Sequence, residues 1–199
     1  MRTRSWTQNR LTVIGPEMDA FAFIKKAHGP MHQTKASRWE QHLAVDMTPR
    51  QEALSFHQVV PIPEAHLNAH AIQLAPVEER MWGVRYGGID SLFYGTKCRE
   101  NKIWGRWDFE TYDQPPIRFL ANASMEWETL SFFLSWNTEH IVRGRSLVFR
   151  YQDLSFEEIC RLSTDDNEDP ENWSLRLKLW AQELFDTHDS WVEELTAAV

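Results

Sequence analysis

Between Lys102 and Tyr112 the chain alternates with a period of two: Ile103, Gly105, Trp107 and Phe109 fall on one side, and Trp104, Arg106, Asp108 and Glu110 on the other. Side chains of an extended strand point alternately to opposite faces, so this pattern demands a strand with one apolar face on a core and one mixed face turned away from it. A single strand cannot bury such a face. The chain must supply further strands and a covering layer.

Both are present in the sequence. Asn9–Ile14 alternates with Leu11 and Val13 on one face and stops at Gly15-Pro16, which predicts a first strand. Pro16 suits a helix start, Glu17 and Asp19 its positive end and Lys25 and Lys26 its negative end, so residues 16–28 are expected to be helical, burying Met18, Phe21 and Ile24. Phe56–Val60 is read as a short strand inside an irregular insertion over about residues 30–80, where Thr48-Pro49-Arg50-Gln51 resembles a capped helix start. Asp113-Gln114-Pro115-Pro116 opens a second helix, with Ile117, Leu120, Ala121 and Met125 at helical spacing. Thr129–Asn137 and Arg145–Tyr151 alternate again and are expected to form an antiparallel hairpin. The order strand, helix, strand, strand, helix, strand, with one strand more, predicts an α+β fold: a ferredoxin-like antiparallel sheet with helices on one face.

Charge divides the chain where this pattern ends. Residues 1–152 carry 18 Lys/Arg against 16 Asp/Glu, whereas residues 153–199 carry 3 against 13. The expected organisation is a ferredoxin-like domain over 1–152 and an acidic helical extension over 153–199. In that extension Trp173, Leu177, Trp180, Leu184, Trp191 and Leu195 follow helical spacing across 173–197, interrupted by His188. Such a face packs on its own domain or, as the alternative, on a second copy in a homodimer. Asp165, Asp166, Glu168, Asp169 and Glu171 repel one another beside Pro170, which marks either a solvated linker or a contact for a basic partner surface.

Four segments together resemble the YubB-like ferredoxin-like family: Asn9-Arg-Leu-Thr-Val-Ile-Gly-Pro16, Phe56-His-Gln-Val-Val-Pro-Ile-Pro-Glu64, Tyr94-Gly-Thr-Lys-Cys98 and Trp107-Asp-Phe-Glu-Thr-Tyr-Asp-Gln-Pro-Pro-Ile-Arg-Phe-Leu120. The resemblance covers about residues 6–151 and implies a ferredoxin-like fold in proteins carried by bacteriophages and conjugative plasmids, with no catalytic residues to carry over. Cys98 stands where that pattern has Trp, and the extension after Tyr151 lies outside it.

No catalytic constellation emerges from the residues themselves. His66 and His70 have the i, i+4 spacing of helix-borne metal ligands, but the intervening Glu of a His-Glu-x-x-His motif is missing and no Cys or Asp pair supports them, so no metal site and no cofactor are assigned. Asp108 and Glu110 share a strand face at carboxylate-pair distance, yet Arg106 beside them favours a cross-strand ion pair. Cys98 sits between Lys97 and Arg99 with no base in view, far in sequence from Cys160 and outside any Cys-x-x-Cys spacing, which fits a reducing compartment. Gly87-Gly88 reads as a turn.

The expectation is a cytoplasmic, non-catalytic accessory protein of a phage or plasmid in a bacterial host cell. It would bind and inhibit a host protein or protein–nucleic-acid complex, one of host defence, with no membrane involved. Its candidate contacts are Asp165, Asp166, Glu168, Asp169, Glu171, Trp104 and Arg106. The alternative partner is single-stranded nucleic acid, stacked on the open sheet face by Trp104 with Arg106 and Arg150. An enzyme remains the third reading and needs a cleft that gathers imidazoles or carboxylates.

Overall fold

The computed structural model describes residues 6–30, 51–67, 69, 71–85, 87–99, 101–138, 142–149, 153–161, 179 and 182–197. In chain order these form β1 (Trp6–Pro16), α1 (Glu17–Ala27), β2 (Gly29–Pro30), β3 (Gln51–Glu52), α2 (Phe56–Val59), a 3-10 turn (Glu64–His66), α3 (Ala71–Trp82), β4 (Ile89–Arg99), β5 (Lys102–Tyr112), α4 (Ile117–Glu126), β6 (Ser131–Thr138), β7 (Val142–Phe149), β8 (Asp153–Arg161) and α5 (His188–Ala197). Six strands make one sheet in the order β4-β5-β1-β6-β7-β8, and every neighbouring pair is antiparallel.

Its first four strands, with α1 after β1 and α4 after β5, have the ferredoxin-like order, so the expected α+β class holds. The second strand of that motif is β4, however, and not Phe56–Val60. The latter folds as α2, because Phe56 is drawn into an aromatic nest: it stacks on Phe119 at 3.9 Å and meets Trp82 and Phe109 edge-on. Strand β4 escapes a reading by alternation because its register slips twice, between Ile89 and Leu92 and between Phe93 and Thr96. Asn101, at φ 66° in the short connection to β5, adopts the left-handed conformation that Asn tolerates. Residues 153–161, expected to open the helical extension, instead form the edge strand β8.

The helix face of β5 is as expected: Ile103, Trp107 and Phe109 are buried on it, opposite Leu11 and Val13 of β1. The expected faces hold in part: Leu120 is buried and Ile24 and Ile117 pack on the core, whereas Met18, Phe21 and Met125 are exposed. Helix α1 buries Ala20, Phe23 and Ala27 while Met18 is 80% exposed, and α4 buries Phe119, Leu120 and Ala123 while Met125 faces outward. Small residues decide this. Alanines let α1 approach the sheet closely enough for Phe23 to meet Trp107, Trp127 and Phe132 edge-on, at 5.5–5.8 Å. Ile24 then lies over Gly105, where a Cβ would come within 3.2 Å of its Cδ1 and 2.8 Å of the Trp107 ring.

The described part of the insertion completes this layer. Trp82 Nε1 donates to the Val60 carbonyl at 2.8 Å and Asn122 Nδ2 to that of Met81 at 2.6 Å, tying α2 and α3 to α4. Glu52 Oε2 accepts from the Ser91 amide (2.9 Å) and hydroxyl (2.6 Å), which anchors β3 at the start of β4. No helix among the described residues is long and apolar enough to cross a membrane.

Candidate functional site

The alternation that sends Leu11 and Trp107 toward the helices sends Arg10, Thr12 and Ile14 of β1, Trp104, Arg106 and Asp108 of β5, and Phe133 and Ser135 of β6 to the opposite face. In the structure the middle of that face is covered, while Leu92 and Tyr94 of β4 stay exposed. Helix α5 lies on it and joins Trp191 and Val192 to Ile14 and Phe133 in a second, small core, with Trp104 and Leu195 at its margin. Trp191 meets Phe133 edge-on at 5.7 Å.

Polar contacts of three residues, Phe185, His188 and Asp189, hold the segment in place. His188 is fully buried, its two ring nitrogens 2.9 Å from Thr12 Oγ1 and 2.7 Å from Ser135 Oγ. Asp189 accepts from Arg106 Nη1 at 2.9 Å and Lys97 Nζ at 3.1 Å. Burial alone would raise the Asp189 carboxyl, but the hydrogen bond from Lys97 and the charge of Arg106 outweigh it and hold the pKa below the usual carboxylate value. Arg10 clamps Asp108 with Nε and Nη2 at 2.8 and 2.6 Å, and its Nη1 donates to the Phe185 carbonyl at 2.7 Å. That hydrogen bond to Asp108 raises the Arg10 pKa still further, so the guanidinium is a permanent cation.

At the lower end of this face a cleft of about 330 Å³ opens between the sheet and residues 182–185. The Arg10–Asp108 pair forms its floor, and Tyr94, Phe185, Asp90 and Glu110 stand around it. Both rings already carry a guanidinium: Arg106 lies 4.6 Å from the Tyr94 centroid and Arg10 lies 5.3 Å from that of Phe185.

Several expected contacts therefore change meaning. Trp104 and Arg106 are not an open platform, since one packs at the margin of the second core and the other is committed to Asp189 and Tyr94. The ion pair of Asp108 forms with Arg10 across β1 and not with Arg106. Asp165, Asp166, Glu168, Asp169, Glu171, Arg150 and His70 lie outside the described residues. His66 sits in the 3-10 turn, and Cys98 is exposed on β4. Among the described residues no group of three or more His, Cys, Asp or Glu is arranged to hold a metal ion.

Of the residues that anchor the segment, the sequence marked Arg106 as a candidate contact and His188 as a break in the stripe, but assigned neither this role. For His188 the signal was there: Leu184, His188, Trp191 and Leu195 share one helical stripe, and a polar side chain on such a stripe must find buried partners. Arg10 and Lys97 carry no comparable mark.

No family model matches the chain and no curated protein matches it. Among solved structures, the crystal structure of protein api92 from Yersinia pseudotuberculosis, described under the family model DUF1281, is similar. It has a TM-score of 0.50 at 9% identity over 82% of this chain and 99% of the other. That likeness concerns the fold alone.

Proposed function

We propose that the chain is a non-catalytic accessory protein that binds and blocks a partner protein in the cytoplasm of a bacterial host. The observation that carries this reading is the cover that α5 places over the middle of the second sheet face. A ferredoxin-like sheet that reads single-stranded nucleic acid stacks bases on strand rings, and here Trp104 and Phe133 lie against the chain's own helix. The middle of the face that would engage bases is covered, and Lys97, Arg106 and Arg10, which would meet phosphates there, are engaged by Asp189 and the Phe185 carbonyl.

The resemblance to the YubB-like family supports a phage or plasmid origin, and the acid-rich segment 153–199 suits a basic partner surface; a component of host defence against foreign DNA fits both. The apolar side of α5 is used within the fold, which weighs against it as a dimer seam. The test combines two measurements on the full chain: gel filtration with a host protein recovered by affinity capture and then purified separately, and electrophoretic shift of single-stranded RNA and DNA at low salt. A stoichiometric protein complex without a shift is expected. A low-salt shift with no protein complex would replace this reading with the nucleic-acid one.

A further inference from the structure

We infer that the cleft beside the Arg10–Asp108 pair receives an arginine side chain from the partner. The inference rests on the partner-binding reading and deepens it by naming the chemistry that is recognised. Glu110 borders the cleft in addition to Asp108, whose charge Arg10 cancels, and Asp90, which has a contact of its own within the chain, lines it as well. Glu110 is half-buried and makes no hydrogen bond or ion pair with a described residue. A carboxylate partly removed from water without a counter-charge favours a cation as its neighbour.

Arg10 does not turn the site into an anion receptor. Its Nε and Nη2 are bound to the two Asp108 oxygens and its Nη1 to the Phe185 carbonyl, so the guanidinium is engaged on every nitrogen. The surroundings also favour a guanidinium over an ammonium group. Tyr94 and Phe185 each already lie beside an arginine, and a planar cation can both stack on such a ring and grip a carboxylate with two parallel hydrogen bonds. The cleft's volume of about 330 Å³ is larger than an arginine side chain, and Gln182 is among the residues that line it.

The probe is a capped pentapeptide bearing two arginines, titrated into the isotopically labelled full chain at low salt, with its citrulline counterpart as the neutral isostere. Saturable binding with amide shifts centred on Tyr94, Glu110 and Gln182 is expected, about tenfold weaker for the citrulline peptide, since charge-assisted pairs contribute roughly that much. Glu110→Gln keeps the shape of the side chain and is expected to weaken binding about tenfold, with Asp90→Asn as a second, independent variant. Glu17→Gln, on the first turn of α1, is expected to leave binding unchanged. Absence of saturable binding, shifts that map elsewhere, or undiminished affinity in both cleft variants would overturn the inference. If that happens while the purified host protein still forms its complex, the cleft assignment alone fails; if no such complex exists, the partner-binding reading fails with it.

Discussion

Replacing Trp191 by Ala tests whether the sheet carries two independent cores. Trp191 is 6% exposed and belongs to the small cluster with Ile14, Phe133 and Val192, which shares no buried member with the large core on the helix face. A ring of this kind buries about 150–250 Å², worth about 4–6 kcal/mol at about 25 cal/mol per Å² as an upper bound. Measured truncations of buried aromatics cost about 3–5 kcal/mol. Taking about 4 kcal/mol as the loss, and about 1.4 kcal/mol per factor of ten, opening of α5 becomes roughly a thousandfold more frequent. Because the cluster stands apart, this loss falls on α5 and not on the strands beneath it. Native-state hydrogen exchange read by mass spectrometry is expected to show residues 188–197 losing protection while peptides spanning Ile103–Thr111 keep theirs. An equal fall in both regions would refute the two-core argument and show one cooperative unit.

Three further outcomes follow from the same contacts. A double-mutant cycle of Arg10→Met and Asp108→Asn, followed by urea unfolding, is expected to give a coupling of about 1–3 kcal/mol, because the two side chains are only 17% and 26% exposed and their contact is bidentate. The Asp189 carboxyl is held below its unfolded value of about 3.9, so its contribution is fully present above that pH and is lost as pH falls through the lower, folded value. Exchange protection of α5 should accordingly drop below about pH 4, and Asp189→Asn should abolish that step, apart from changes shared with every other carboxylate. Gly105→Ala places a Cβ against the Trp107 ring and Ile24 inside a packed layer and is expected to lower stability by about 1–3 kcal/mol, measured as a fall in Tm.

Strand β5 was legible because its alternation is unbroken and its apolar residues are large, so no competing arrangement buries them. The faces of α1 and α4 were misread in part, for a definite reason. Helical spacing alone allowed more than one apolar stripe on each helix, and the stripe through Met18 and Phe21, like the one through Met125, competed with those through Phe23 and Phe119. Close approach to a sheet selects the latter stripes, with their alanines, because dispersion and exclusion of water both depend on distance. Strand β4 was hidden by its two register slips and Phe56 by tertiary contacts with Trp82, Phe109 and Phe119, none of them near it in sequence.

The second face of the sheet posed a different problem, since its side chains are ambiguous one at a time. Arg106 flanked by Trp104 reads equally as a stacking platform or as the receptor of an acidic helix, and strand periodicity contains nothing that separates the two. The discriminating fact is a pairing across 83 residues of sequence, Arg106 with Asp189, supported by Thr12 and Ser135 around His188. Once that pairing is fixed, Arg10, Lys97 and Arg106 are each answered from within the chain. What the face still offers a partner lies where the cover stops, at the cleft where Glu110 has no counter-ion among the described residues. A cleft whose arginine is engaged by Asp108 and the Phe185 carbonyl, and whose Glu110 has no counter-ion among the described residues, favours a basic partner, which is why an arginine-bearing protein fits this cleft better than a phosphate backbone does.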